Sequence, residues 1–530
     1  MDIRKIKLLV LLGLFIVSCN NDDSVSDTVS NVATDSTENE IFSCSDELTI
    51  EVQTLLNPSG YAPLSALVIF KTNEPISVTM RVIGKNGADS DVIQSFSEIG
   101  NNIEIPVHGL YPDYENEVEF TFYDTNKVSL CAQTLKIQTA SLISAMPEIT
   151  IKTADRSQMA EGMTLVSYYG YDTDIHPFRP FIFDSYGAIR WYLNYKEHPI
   201  LSNLHYDNGP GRLANGNFYF ANNEPDAIYE VDLLGNIINT WDMPGFSFHH
   251  EVLEKPNGNF IVLVDKHNAS TIEDYIIEID RSSNEIITIW NLNESLDNTR
   301  TTLTTDPEDW IHVNGVSYDA SDDTLVISGR TQGVVKLTAA NEVVWIMAPH
   351  ADWKTSGNSK DLSSYLLQPL DASGTAITNE AILDGTENHA DFEWNWYQHA
   401  TKVLADGSVI LFDNGDNRNY TGLGPYSRAV QYKIDETNST IQQIWQYGKE
   451  RGEETYSRVV SDVDYLEANN HMLFSPGGIT SGAHPFGKSI EIDMETNNII
   501  FEATISAPTP FAGHITFHRT ERLSLYPTLN

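Results

Sequence analysis

A short motif recurs six times across residues 149–530 and restricts the fold more than any other feature of the chain. Each copy opens on a tight-turn pair: Glu161-Gly162, Asn215-Gly216, Asn257-Gly258, Asp322-Asp323, Asp406-Gly407 and Asn469-Asn470. Gly, Asn and Asp supply the backbone conformations that such turns need. A strand follows at FIFD (181–184), YEVD (229–232), IEID (277–280), VVKL (334–337), QYKID (431–435) and IEID (490–493). A further strand then ends in an aromatic: Trp191, Trp241, Trp290, Trp345, Trp445 and Phe501. The 42 residues from Gly216 to Gly258 fit the roughly 40–50 of a propeller repeat. Wider spacings mark insertions, notably about 350–395. The pattern predicts an all-β architecture, a six-bladed β-propeller with aromatics packed between blades.

Upstream, residues 44–148 carry short alternating segments: ELTIEVQTLL, SALVIFKT, ISVTMRVIG, NNIEIPVHGL, NEVEFTFYD and CAQTLKIQT. Their spacing predicts a small N-terminal β-sandwich. Leu110-Tyr111-Pro112-Asp113-Tyr114 forms the corner entering a late strand, and nothing in this domain has a catalytic look. Residues 20–43 are polar and acidic, a disordered tether. Residues 1–19 read as an export signal: Arg4, Lys5 and Lys7 precede the apolar run Leu8–Val17, and Ser18-Cys19 closes it. The run is short for a transmembrane helix. Small residues before a cysteine resemble a bacterial lipobox, which makes Cys19 the lipidated first mature residue of a cell-envelope protein anchored to a membrane. In an oxidising compartment the remaining pair, Cys44 and Cys131, is a candidate disulfide. With no cysteine after 131, a thiol nucleophile or thiolate metal site in the main domain is excluded.

The chain has 74 Asp+Glu against 32 Lys+Arg, a formal charge of −42. That field argues against nucleic acid and anionic membrane surfaces as partners. An anionic substrate would be repelled at long range, so a site for one needs its own positive cluster. The repeat supplies candidates. His250 and His399 each precede a turn glycine by eight residues, and His312 fits the same template with a small insertion. The segments before the tight turns are the innermost strands, so the three imidazoles project toward one axis. Asn314, two residues after His312, shares its strand face. Arg330 follows TLVISG and brings a guanidinium suited to carboxylate, phosphate or sulfate; an inter-blade salt bridge is the alternative. No Gly-rich phosphate loop, GxSxG elbow or HExxH helix occurs. DNGDNR (413–418) has oxygen ligands without calcium-loop spacing and reads as a turn at the channel rim. Three imidazoles about an axis also suit zinc or copper in a hydrolase or oxidase, and a non-catalytic lipoprotein binding a glycan or protein is a further reading.

FHHEVLEKPNGN, DWIHVNGVSYDASDDTLVISGR and WYQHATKVLADGSVILFDNGDNR together resemble the bacterial aryl-sulfate sulfotransferases, which do not use the nucleotide sulfate donor. GLYPDYENEVEF (109–120) is similar to the small β-sandwich of that family, so the resemblance spans nearly the whole mature chain. It implies that His399 is the histidine transiently sulfurylated. It implies that His312, Asn314 and Arg330 hold the sulfuryl oxygens, and that His250 is a further active-site histidine. Donor and acceptor are then an aryl sulfate and a phenol, with no cofactor and no metal, and a homo-oligomer stays open. Some family members carry a disulfide near the active site, and this main domain has no cysteine to form one.

Overall fold

The computed structural model describes residues 39–44, 48–171, 178–204, 209–422, 424–481, 485–507 and 514–527, so Cys19 and the export segment lie outside the described residues. The described residues are nearly all β, and no helix among them is long and apolar enough to cross a membrane.

The N-terminal unit is one antiparallel sheet of six strands, from Asn39–Ser43 to Ser129–Gln138. SALVIFKT and ISVTMRVIG, expected as two strands, form a single strand, Ala66–Val82. Its first half pairs with Thr49–Leu56 and its second half with Glu115–Tyr123. Val92–Val107 follows it along both halves, with the register broken between Lys71 and Val78. Pro75 sits in that break, where a residue without an N–H interrupts the ladder and lets the strand turn. The sheet thereby folds onto itself as an immunoglobulin-like two-layer unit. Phe70 meets Phe120 and Phe122 across the layers at 5.0 and 5.1 Å. Cys44 and Cys131 are disulfide-bonded.

Among the described residues six further sheets follow, built from antiparallel neighbours except that Gln368–Leu370, from the long insertion, adds in parallel to Thr440–Tyr447 at the edge of the fifth. The inner strands of the third to sixth are Phe246–Glu254, Val313–Asp319, His399–Val403 and Asp462–Leu466. Two strands close the set. Glu148–Ala154, which precedes the first of these sheets in the chain, pairs with Ile499–Ser506 of the last. His514–Leu523, from the end of the chain, pairs with Met163–Tyr171 of the first. The arrangement is propeller-like.

The six turn markers share one backbone property. Gly162, Gly216, Gly258, Asp323, Gly407 and Asn470 all have positive φ. Gly adopts that conformation freely, and Asn and Asp tolerate it best among the rest.

The terminal aromatics join one sheet to the next in chain order. Trp191 Nε1 donates to Leu233 O (2.7 Å), Trp241 to Arg281 O (2.8 Å), and Trp290 to Thr338 O (2.9 Å). Trp345 donates to Glu436 Oε1 (2.9 Å) and Trp445 to Asn497 Oδ1 (3.0 Å). In each case the acceptor lies in the hairpin of the following sheet, and Phe501 completes the series by stacking on Phe183 at 6.4 Å. Trp191, Trp241, Trp290 and Trp345 thus bury their rings and satisfy their N–H groups in the same interface, and Trp445 does so half-buried.

The GLYPD corner fastens the N-terminal unit to this ring. Tyr111 is buried, its hydroxyl accepts from Arg190 Nη1 at 3.0 Å, and the Arg190 guanidinium stacks 3.7 Å over its ring. Tyr526 donates from its hydroxyl to Pro106 O at 2.8 Å.

Trp290→Phe keeps the ring packing but removes one of the two donors to the Thr338 carbonyl, leaving the Asn341 N–H at 3.0 Å. The expected outcome is an intact fold destabilised by about 0.5–1.5 kcal/mol, read as a lowered Tm. An unchanged Tm would show that the inter-sheet indole bonds carry no stability.

Candidate active site

The inner strands bring His250, His312 and His399 to one buried place, with relative exposures of 8, 9 and 4 %. The rings of His250 and His312 lie 5.0 Å apart at 80°. His518, on the closing strand His514–Leu523, lies 6.2 Å from His250 and joins the group unforeseen.

All three histidines sit where the inner ladder is broken. Around His250 the pairing jumps between Phe248 and Val252. The register shifts between Val313 and Gly315 beside His312, and between His399 and Lys402. His250 and His312 both have φ 53°, while Tyr397 (53°) and Ala400 (50°) flank His399. Non-glycine residues pay strain to hold that region, and bulges re-aim side chains beside functional sites.

His399 is held from behind. Its Nδ1 lies 2.7 Å from Asn414 Oδ1 and 3.2 Å from the Tyr397 carbonyl. Both neighbours are acceptors, so Nδ1 carries the hydrogen and Nε2 is the bare nitrogen. Burial lowers its pKa to about 3 against the opposing Asn414 bond, and Arg330, His518 and His312 press the same way as burial.

His312 has the opposite surroundings. Its Nδ1 lies 2.8 Å from Asp309 Oδ2 and 2.5 Å from Glu273 Oε2. Burial disfavours the charged ring, but the two carboxylates outweigh it and its pKa is raised. Burial and the surrounding histidines push His250 well below the ordinary value. One fold therefore drives two imidazoles toward the neutral form and the one beside them toward the charged form.

Arg330 donates its backbone N–H to the His312 carbonyl (3.0 Å), and its guanidinium lies 3.9 Å from Asp309 and 5.7 Å from the Tyr397 ring centre. Its buried Nε has no hydrogen-bond partner among the described residues. Asn314 donates to Gln398 O (2.9 Å) and accepts from Ser328 Oγ (2.7 Å), bracing the peptide just before His399.

DNGDNR forms a buried ionic knot behind the site. Asp413 accepts from Arg418 (2.9 Å), Arg428 (2.8 Å) and the Trp396 N–H (2.9 Å), and Asp416 accepts from Arg458 (2.8 Å). Asn414, Glu273, Asp309 and His518 were not singled out by the sequence. The signals for Asn414 and Asp309 were their places in DNGDNR and in DWIHVN, three residues before His312; Glu273 gave none.

Metal-like proximity occurs at His250, Glu273 and His312, whose ligand atoms lie within 4.8 Å of one another; His399 is not in that group. The three imidazoles thus do not converge as one ligand set. His312, protonated between two carboxylates, offers a donor rather than a lone pair there.

The comparisons with known proteins bear on this geometry. The family described as Arylsulfotransferase (ASST) matches residues 148–514, and the Arylsulfotransferase Ig-like domain matches residues 53–140. The chain belongs to the arylsulfotransferase family. Arylsulfate sulfotransferase AssT of Escherichia coli O6:H1 (strain CFT073) is 29% identical over 563 residues, covering 87% of this chain and 91% of that protein. AssT of Lelliottia amnigena is 28% identical over 557 residues, with the same coverage of each chain. A solved streptogramin B lyase covers 69% of this chain and 100% of its own at 10% identity, with a TM-score of 0.30.

The depressed pKa of His399 makes a stability claim whose sign is fixed. Below the ordinary value of 6.5 the unfolded chain takes up a proton that folded His399 refuses, so stability falls as pH drops. His312 acts oppositely: its contribution is complete below 6.5 and is lost as pH rises through its raised pKa. Replacing His399 by Asn removes about 1.4 kcal/mol per pH unit of acid destabilisation. Denaturation at a series of pH values below 6.5 checks this, and an unchanged pH slope would contradict it.

Proposed function

We propose that this chain transfers a sulfuryl group from a phenolic sulfate ester to an acceptor phenol, by double displacement through a sulfohistidine on His399. Family membership supports the reading, and one observation carries it: a buried, neutral His399 whose Nδ1 hydrogen faces Asn414, leaving Nε2 as nucleophile. In this reading the six sheets are the blades of a closed six-bladed propeller, with residues 149–530 as catalytic domain and 44–148 as β-sandwich. Cys19 carries the lipid that anchors the exported protein at the cell envelope.

Sulfuryl transfer resembles phosphoryl transfer, with a loose in-line transition state and charge on three equatorial oxygens. The unpartnered Nε of Arg330 is a ready donor for one of them. The Nε2 lone pair attacks sulfur while the S–O bond to the aryl group breaks. The departing phenolate takes the proton of charged His312, and Asp309 and Glu273 make that charged form available. Neutral His399, the ester anion and cationic His312 thus become sulfo-His399, a phenol and neutral His312. The acceptor phenol reverses each step and returns its proton to His312, so both half-reactions use the same group and no net proton is exchanged with solvent.

Brief incubation with 4-nitrophenyl sulfate followed by mass spectrometry should find one sulfuryl adduct, on His399. His399→Asn should abolish the adduct and lower transfer at least about a thousandfold; transfer at the parent rate would refute the nucleophile. Glu273→Gln and Asp309→Asn deplete the protonated form of His312, so their loss should be about 10–100-fold larger with phenyl sulfate than with 4-nitrophenyl sulfate, whose leaving group needs less protonation. Equal losses with the two donors would remove His312 from that role.

A further inference from the structure

Asn414 follows the strand Val409–Asp413 and is fully buried. Its Nδ2 donates to the carbonyls of Ser457 (2.8 Å) and Val460 (3.0 Å), so both amide hydrogens have fixed partners. The orientation of the amide is therefore determined by the backbone behind it: the oxygen, and not the nitrogen, faces His399. An amide oxygen only accepts, so the His399 hydrogen must sit on Nδ1. The acceptor is also uncharged. A carboxylate in its place would favour the imidazolium, as Asp309 and Glu273 do for His312. The neighbouring carboxylate, Asp413, is neutralised by Arg418 and Arg428 and turned toward the Trp396 peptide. The basic groups that act on His399 are then Arg330, His518 and His312, all of which oppose its protonation.

We infer that Asn414 is a positioning residue for the transfer: it fixes the tautomer of His399, directs attack to Nε2 and does so without the charge by which a carboxylate would protonate the nucleophile. The inference rests on the sulfotransferase reading above. It also bears on the second half-reaction. When Nε2 bonds to sulfur and the aryl oxygen leaves, the imidazole keeps its Nδ1 hydrogen and becomes cationic against the sulfonate. A neutral amide does not draw that proton away, so the ring remains a good leaving group when the acceptor oxygen bonds to sulfur and the N–S bond breaks. A carboxylate behind the ring would stabilise the adduct against transfer.

The test measures sulfuryl labelling of His399 by 4-nitrophenyl sulfate as a function of pH, in the full chain and in Asn414→Asp. The parent should label at a nearly constant rate between about pH 8 and about pH 6. In Asn414→Asp the rate should fall at least about tenfold across that window, because a new carboxylate raises the histidine pKa and the nucleophile protonates as pH drops. A folded Asn414→Asp whose profile parallels the parent overturns the inference. Thermal melting reports whether the variant folds. The attachment atom in the parent adduct tests the inference without any substitution: sulfuryl on Nε2 supports it and sulfuryl on Nδ1 overturns it. Failure of the parent to label any residue would instead refute the sulfotransferase reading itself.

Discussion

Mutual anchoring of the first and last sheets is the constraint from which the site follows. Two strands from opposite ends of the main domain, Glu148–Ala154 and His514–Leu523, are incorporated into the last and first sheets. Phe501 of the last sheet stacks on Phe183 of the first, and indole bonds run in one direction from each sheet to the next between them. The strand His514–Leu523 also brings His518 into the histidine group, so the strand that completes the first sheet contributes to the site.

The ring was legible in the sequence because its requirements are local. A turn that needs positive φ admits few residues, and Gly, Asn or Asp stands at all six such places. The third strands and the terminal aromatics were legible through their periodic return. The folded strand Ala66–Val82 was read as two, since Pro75 marks a break in pairing whether or not the strand continues beyond it. The histidines were visible by register, and the bulges that aim them were not. His250 and His312 hold a conformation that no residue type there advertises, and tertiary packing imposes it. Glu273 and Asn414 come from segments well separated in sequence from the histidines they hold, so no spacing rule reaches them, whereas Asp309 stands three residues before His312 within DWIHVN and only the fold shows that it turns back onto the ring.

Electrostatics then divides the labour among chemically identical side chains. A chain of formal charge −42 gathers Arg330 and His312 beside His399, and in the proposed reading they are the local positive cluster that an anionic ester requires. In that reading what stands behind each Nδ1 decides the role: an amide behind His399 suits a neutral nucleophile, and two carboxylates behind His312 suit an acid. Arg418 and Arg428 contribute at a distance by neutralising Asp413, one residue from the amide that holds His399.

The most direct measurement of this division is a pH titration of [15N]histidine-labelled protein by NMR, with His399 and His312 assigned by their loss in His399→Asn and His312→Asn. The expected result is that His399 stays neutral, with hydrogen on Nδ1 and a bare Nε2, well below the ordinary histidine value of about 6.5, while His312 stays protonated above it. Titration of the two rings together near that ordinary value, or a His399 tautomer with the hydrogen on Nε2, would contradict the account.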